Sequence, residues 1–317
     1  MNPHFLQTSA WKHFQEALGR TTFEASGDGW HYMAVLEPGR FSRLYCPYGP
    51  TADSAASFKA ALASLKVLAK KQGVHFIRIE PMAPLSPAAL RRFGAVRARH
   101  SIQPQHTWCV DLTINEEDLL KNMNGNTRRF WQRGKEKYDI SFRSSDDPAD
   151  IEIFLDCIRE VADRTGMRPH DDDYFRLQAR TLLPLGAARL FITSVDGRPA
   201  AAILAYDTPT TRYYAHAAAH YEFHVQNVAT VGIIFAMLEA KREGKTTFDL
   251  YGVAPPDAPA DHPWQGFSRF KRTFGGAGVD YLGAWEIPVK PYWHRAYRLA
   301  GKAVAAKQAL RRKLRRS

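Results

Sequence analysis

The feature that most constrains this chain is a change of hydrophobic period. Between residues 189 and 253, three short runs with strand-like patterning, RLFITSV, AAAILAYD and RYYAHAAA, precede a helical stretch from Val228 to Glu243. TTFDLYGV then reads as a buried strand, and turns at Asp196-Gly197 and Thr208-Pro209 join the first three runs. A meander, a helix and a returning strand are incompatible with an all-helical or all-β chain. The first half alternates in the same way. Gln7 to Leu18 reads as an amphipathic helix, His31 to Leu36 and Arg43 to Cys46 as strands, and Ser54 to Lys70 as a helix behind an Asp53 cap. Val74 to Glu80 and His106 to Thr113 read as strands either side of a short helix from Ser86 to Phe93, and Glu116 to Lys137 as one long basic helix.

The second half begins with a strand at Ile140 to Arg143 and helices at Pro148 to Thr165 and Asp173 to Leu183. It ends with a helix at Trp264 to Phe274, a strand at Tyr281 to Ile287 and a basic helix from Tyr292 onward. A length of 317 residues allows about two compact domains, so the expectation is an α/β (α+β) chain of two similar units. The boundaries expected are 1–137 with 290–317 for the first unit and 138–289 for the second.

With 45% apolar and 12% aromatic residues the chain is of globular composition. Its 44 basic and 32 acidic residues give a net charge of +12, which favours phosphate-rich or anionic-surface partners. Cys46, Cys109 and Cys157 lie far apart without C-x-x-C spacing, which fits a reducing compartment better than a disulfide framework or a zinc ribbon. The N-terminus has no signal-peptide pattern and no window approaches a spanning helix, so a cytoplasmic location is expected.

The segment GFSRFKRTFGG, Gly266 to Gly276, carries the sharpest chemical signal. Phe270 and Phe274 share one helical face, and Lys271 lies beside it, where an ammonium could stabilise an oxyanion in a partly dry site. The plainer reading is a surface lysine between Arg269 and Arg272. The basic stretch with Lys121, Arg128, Arg129, Arg133, Lys135 and Lys137, interleaved with Phe130 and Trp131, is either an RNA-phosphate face or a solvated helix with one aromatic edge. Other patterns are weak. RTFGGA satisfies R-x-x-G-x-A but follows a helix, HYEFHVQN lacks the glycine that an acetyl-CoA phosphate loop needs, and His216 with His220 has no evident third metal ligand.

Six segments in order carry a resemblance: FLQTSAWKHFQEALG, YCPYGP, IQPQHTWCVDLT, RRFWQRGKEKY, TTFDLYGV and FSRFKRTFGG. Together they resemble the FemABX family of aminoacyl-tRNA-dependent peptidyltransferases, in the short form without a coiled-coil arm. The resemblance implies two GNAT-like domains, with the C-terminal helix packing back on the first. It implies transfer of an amino acid from aminoacyl-tRNA to the stem-peptide amine of a peptidoglycan precursor, lipid II or UDP-MurNAc-pentapeptide. No metal or nucleotide cofactor is implied; aminoacyl-tRNA is the co-substrate.

By the family motif, Lys271 matches the lysine that stabilises the tetrahedral intermediate, Phe270 the aromatic beside it, and Asp111 an aspartate near the acceptor amine. Arg40, with Arg43 as its near rival, matches the first-domain cation that holds acceptor phosphates. Where the family has an arginine shortly before Tyr-Phe, this chain has His170, with Arg168 two residues earlier; Tyr174 keeps the aromatic position. A neutral imidazole among Asp171 to Asp173 would grip pyrophosphate poorly, which points toward a lipid-linked or otherwise altered acceptor. The family has two glycines after the strand aspartate, whereas here Tyr251-Gly252 follow Asp249, for which a structural role such as orienting a cation is expected. The basic C-terminal run from Lys302 to Arg316 suits peripheral contact with an anionic inner membrane surface, tRNA or plain solvation. Two other readings stay open: an acyl-CoA-dependent N-acyltransferase, and a non-catalytic RNA-binding or membrane-peripheral protein on the same scaffold.

Overall fold

The computed structural model describes residues 3–314; the side chains of Lys135 and of residues 303–314 are outside that description. In chain order a 3-10 turn (Phe5–Gln7) leads into α1 (Ser9–Ala17), β1 (Thr22–Gly27), β2 (Trp30–Glu37), β3 (Arg43–Cys46) and β4 (Thr51–Ala52). Then follow α2 (Ala55–Lys71), β5 (Phe76–Ile79), α3 (Pro87–Arg92), β6 (Val96–Arg97), β7 (His106–Asp111), α4 (Glu116–Lys121) and α5 (Gly125–Glu136). The next stretch holds β8 (Ile140–Ser145), α6 (Ile151–Thr165), α7 (Asp172–Leu182), β9 (Ala188–Val195), β10 (Arg198–Asp207) and β11 (Thr211–Ala219). The last elements are α8 (Val228–Arg242), β12 (Thr247–Gly252), α9 (Gln265–Arg272), β13 (Ala277–Asp280), β14 (Trp285–Pro288) and α10 (Pro291–Leu314). No described helix is long and apolar enough to cross a membrane. The basic side chains from Lys307 to Arg316 lie outside the described residues, and Lys302 is exposed.

The chain divides into two compact units, one of Gly19–Gln103 with Leu282–Ser317, the other of Asn2–Leu18 with Pro104–Tyr281. This partition departs from the expected 137/138 and 289/290 boundaries because β7 completes the second sheet. It pairs antiparallel with β12, Asp249 opposite Cys109, and with β13, Ala277 opposite Cys109. The N-terminal segment also joins the second unit, where Phe14 of α1 meets the Tyr174 ring edge-on at 5.3 Å.

In the first unit the sheet order is β1-β2-β3-β5-β14-β6, with β4 on β2. Helix α2 contributes Phe58, Leu62 and Leu65 to a core with Leu44, Ile77, Ile79 and Trp285. Its cap is Ser54 rather than Asp53: Ser54 and Ser57 form a reciprocal capping box, and Asp53 accepts from the Ser57 hydroxyl at 2.6 Å. Helix α10 packs on β5, with Tyr297 and Phe76 rings 4.8 Å apart. Beneath it Glu286 accepts bonds from Arg78 at 2.5 Å and His294 at 2.9 Å, all three side chains being buried.

In the second unit the order is β13-β7-β12-β11-β10-β9-β8, with β11 and β12 parallel. Val110, Ala205, Phe248 and Leu250 point into one core with α8. Strand alternation therefore turns Cys109, Tyr206, Asp249 and Tyr251 to the opposite face, where Phe5 stacks on Tyr206 at 4.5 Å. The long helix expected over Glu116 to Lys137 is broken into α4 and α5. Asn124 starts a new helix by accepting from the Asn126 amide at 2.9 Å, and Arg128 closes the break by donating to the Lys121 and Met123 carbonyls at 2.7 and 2.6 Å.

Candidate functional site

The site forms where α9 meets the end of β12. Helix α9 is anchored by Ser268, fully buried, whose hydroxyl donates to the Trp264 carbonyl at 2.5 Å and accepts from the Ala254 amide at 2.8 Å. From its last turn Lys271 reaches back, donating through Nζ to the Gly252 carbonyl at 2.8 Å and lying 5.1 Å from the centre of the Phe267 ring. The strand end is shaped by Asp249. Its Oδ1 accepts from the Tyr251 amide at 2.7 Å, Tyr251 takes a left-handed φ of 66°, and the β12–β7 register slips between Asp249 and Gly252. A side chain in that conformation is strained, and the Asp249 bond is what holds it there. The carboxylate thus sets the turn that presents the Gly252 carbonyl to Lys271.

The two groups also share a field. Burial pushes Asp249 up to about 6, against the Tyr251 amide bond, the Lys271 charge and the Cys109 thiol. Burial pulls Lys271 down to about 8, and Asp249 opposes that fall. A half-buried lysine that still carries its charge at neutral pH suits stabilisation of an oxyanion.

Two glycines lock α9 to the sheet. Gly275 and Gly276 have φ of 77° and 86°, and a Cβ on Gly276 would lie 2.2 Å from the Cys109 carbonyl oxygen. The RTFGGA motif is therefore a packing turn leading into β13.

The other sequence candidates fall in different places. Asp111 is exposed at the far end of β7, opposite Thr247, and accepts from the Thr113 amide and hydroxyl at 2.8 and 2.7 Å. Those bonds lower its pKa, with a smaller contribution from Lys241. The carboxylate coupled to Lys271 is Asp249. Phe270 meets Phe274 edge-on at 5.2 Å and packs toward the core, so the ring beneath the ammonium is Phe267.

His170 stacks on Tyr174 at 4.1 Å and lies 6.4 Å from His216, which burial and the His170 charge lower to about 4. The carboxylates beside it do not all crowd the imidazole: Asp172 pairs with Arg159 at 2.5 Å and Asp173 with Arg176 at 3.0 Å. Arg168 is exposed. In the first unit Arg40 is exposed, its guanidinium 5.5 Å from the Phe41 ring, while Arg43 bonds Glu37 and is the more committed of the two. Sequence reasoning missed Phe267, Trp264 and Cys109; the first two stand in HPWQGF as aromatics off the apolar stripe of α9.

A family model described as an acetyltransferase (GNAT) domain matches residues 121–272. No curated protein matches the sequence significantly. Among solved structures the fold is similar to FemX, at 17% identity and a TM-score of 0.85 over 93% of this chain and 94% of that one. It is also similar to the C-terminal domain of a putative lysylphosphatidylglycerol synthetase from Agrobacterium fabrum, at 13% identity and a TM-score of 0.60 over 89% and 88% of the two chains. L-PGS from Bacillus licheniformis is 14% identical, with a TM-score of 0.60 over 91% and 93%. The chain is thus FemABX-like in fold, an α/β protein of two GNAT-like domains with the architecture of an acyltransferase.

Proposed function

We propose that the protein transfers an amino acid from aminoacyl-tRNA to the stem-peptide amine of a peptidoglycan precursor. The observation that carries this reading is the half-buried Lys271, held on the Gly252 carbonyl beside Asp249, in a FemX-like fold. The acceptor amine attacks the ester carbonyl, a C–N bond forms and the C–O3′ bond breaks. The amine proton leaves with the freed 3′-hydroxyl. Lys271 stabilises the negative oxygen of the tetrahedral intermediate, and an activated ester needs little from the protein beyond this and positioning. In this reading no metal or nucleotide cofactor takes part. The exposed cations Arg129 and Arg133 of α5, with Lys137 just after it, offer contacts to RNA phosphates.

Arg40, Arg168, His170 and Tyr174 are the acceptor-binding candidates, and a lipid-linked acceptor fits the imidazole at position 170. Such an acceptor would place the reaction in the cytoplasm at the inner membrane surface, where exposed Lys302 can meet anionic lipid.

A second reading, acyl-CoA-dependent N-acylation, is favoured by the GNAT match and by a cavity of ≈ 200 Å³ at the start of α8, lined by Arg164, Tyr214, Val228 and Gly232. Incubation of each acceptor, lipid II or UDP-MurNAc-pentapeptide, with a mixed charged-tRNA pool, read by mass spectrometry, tests the proposal. A product heavier by one amino-acid residue supports it. Transfer from acyl-CoA alone overturns it.

A further inference from the structure

Beside Lys271 the second unit presents two large aromatic side chains to solvent. Trp264 and Phe267 are each 39% exposed and their ring centres lie 5.6 Å apart. Both are tied to the reacting lysine: Phe267 lies under its ammonium, and Trp264 packs against Gly252, whose carbonyl that ammonium holds. Only a glycine fits there, because a Cβ at position 252 would sit 2.8 Å from Pro104 and 3.4 Å from the Trp264 ring.

We propose that Trp264 and Phe267 form a stacking platform for the terminal adenosine of the acyl donor. The inference rests on the aminoacyl-tRNA reading and identifies how its reacting end is held. In a 3′-aminoacyl ester the base is joined to the reacting carbonyl through a single ribose. A carbonyl at Lys271 therefore puts the base within one sugar of that ammonium, and Phe267 and Trp264 occupy that radius. Coenzyme A also carries an adenosine, but the whole pantetheine arm separates its base from the thioester, so the same platform would not hold it with its acyl group at Lys271.

Charge agrees. Helix α9, QGFSRFKR, has no acidic residue and ends in Arg269, Lys271 and Arg272, with the Arg272 guanidinium 5.5 Å from the Trp108 ring. The platform is also pre-set. Gln265 donates to the Ala258 and Pro259 carbonyls at 3.2 and 3.3 Å, and Ser268 pins the helix start, so little ordering cost remains when a base arrives.

The test uses the full-length protein and 3′-(aminoacylamino)-3′-deoxyadenosine, an amide mimic of the donor end, with binding followed by calorimetry. Trp264→Leu and Phe267→Leu should each weaken binding roughly 5- to 150-fold, the range for loss of one base–aromatic stack. They should raise KM for charged tRNA without changing KM for the acceptor. Trp264→Phe, which keeps an aromatic face, should restore most of the affinity. Tyr221→Leu, an exposed aromatic stacked on His224 elsewhere in the unit, should change nothing. Circular dichroism confirms that each variant is folded, and Trp264→Phe against Trp264→Leu keeps the comparison at one position. Unchanged binding in both leucine variants, with transfer from charged tRNA intact in the wild type, overturns the platform and leaves the functional reading standing. A wild-type protein that neither binds the mimic nor uses charged tRNA overturns both, and adenosine binding supplied by coenzyme A alone does the same.

Discussion

Lys271 and Asp249 act as one electrostatic unit, and their separation into two roles is testable. Lys271→Met removes the oxyanion cation and should lower kcat roughly 10²- to 10³-fold with little change in acceptor KM, measured in the transfer assay. Equal loss in both parameters would assign Lys271 to acceptor binding. In the proposed role the protonated lysine is the active form, so kcat should fall as pH rises through about 8, the Lys271 value. Asp249→Asn keeps an oxygen to accept from the Tyr251 amide but removes the charge that favours the ammonium. The alkaline limb should therefore move to lower pH. Trace labelling of Lys271 with acetic anhydride across pH reads the same shift without any substrate. An unmoved limb would show that Asp249 acts through the turn alone.

At the scale of elements, α9 is useful only where β13 places it, and that placement is a matter of backbone contact. Gly276→Ala puts a methyl into the Cys109 carbonyl and a strained φ on alanine, so it should cost more than about 2 kcal/mol by urea denaturation. It should also raise the labelling rate of Lys271 as the lysine loses its seat. Much of this local architecture is legible beforehand: the β9–β11 meander, the α8 helix and the β12 strand follow from period and turn residues alone. Strands β1 and β13 are less so: TFEASG offers only Phe23 and Ala25 as an alternating pair, AGVD is exposed throughout, and both are fixed as strands by pairing with β2 and β7. The break between α4 and α5 escapes for a related reason. Basic residues flank the uncharged NMNG of residues 122–125 and suggest one helix, whereas Asn124 caps a new one and its amide is claimed by the Thr273 carbonyl from a distant part of the chain.

For the molecule as a whole, the two termini exchange units: α1 belongs with the second sheet and α10 with the first. The anchor of α10 is the buried cluster of Glu286, Arg78 and His294. Burial alone would raise Glu286, but the bonds from His294 and Arg78 outweigh it and hold the carboxyl below its ordinary range. A depressed carboxyl stabilises the fold above its unfolded pKa, and that stability is lost as pH falls through the folded value. Glu286→Ala leaves Arg78 buried without its carboxylate and should cost about 3–5 kcal/mol, read as an earlier urea transition of the first unit. A cost below about 1 kcal/mol would mean that packing of Tyr297 on Phe76 suffices to hold α10. What the amino-acid order determined by itself is the α/β grammar and the FemABX-like pattern in which Lys271 is the candidate lysine, since periodicity, turn chemistry and motif spacing are local properties of a chain. Tertiary structure alone decided that Asp249 rather than Asp111 faces the lysine, and that Phe267 rather than Phe270 lies beneath it. Strand register and helix rotation fix which side chains share a dry space, and both are set by contacts between residues far apart in sequence.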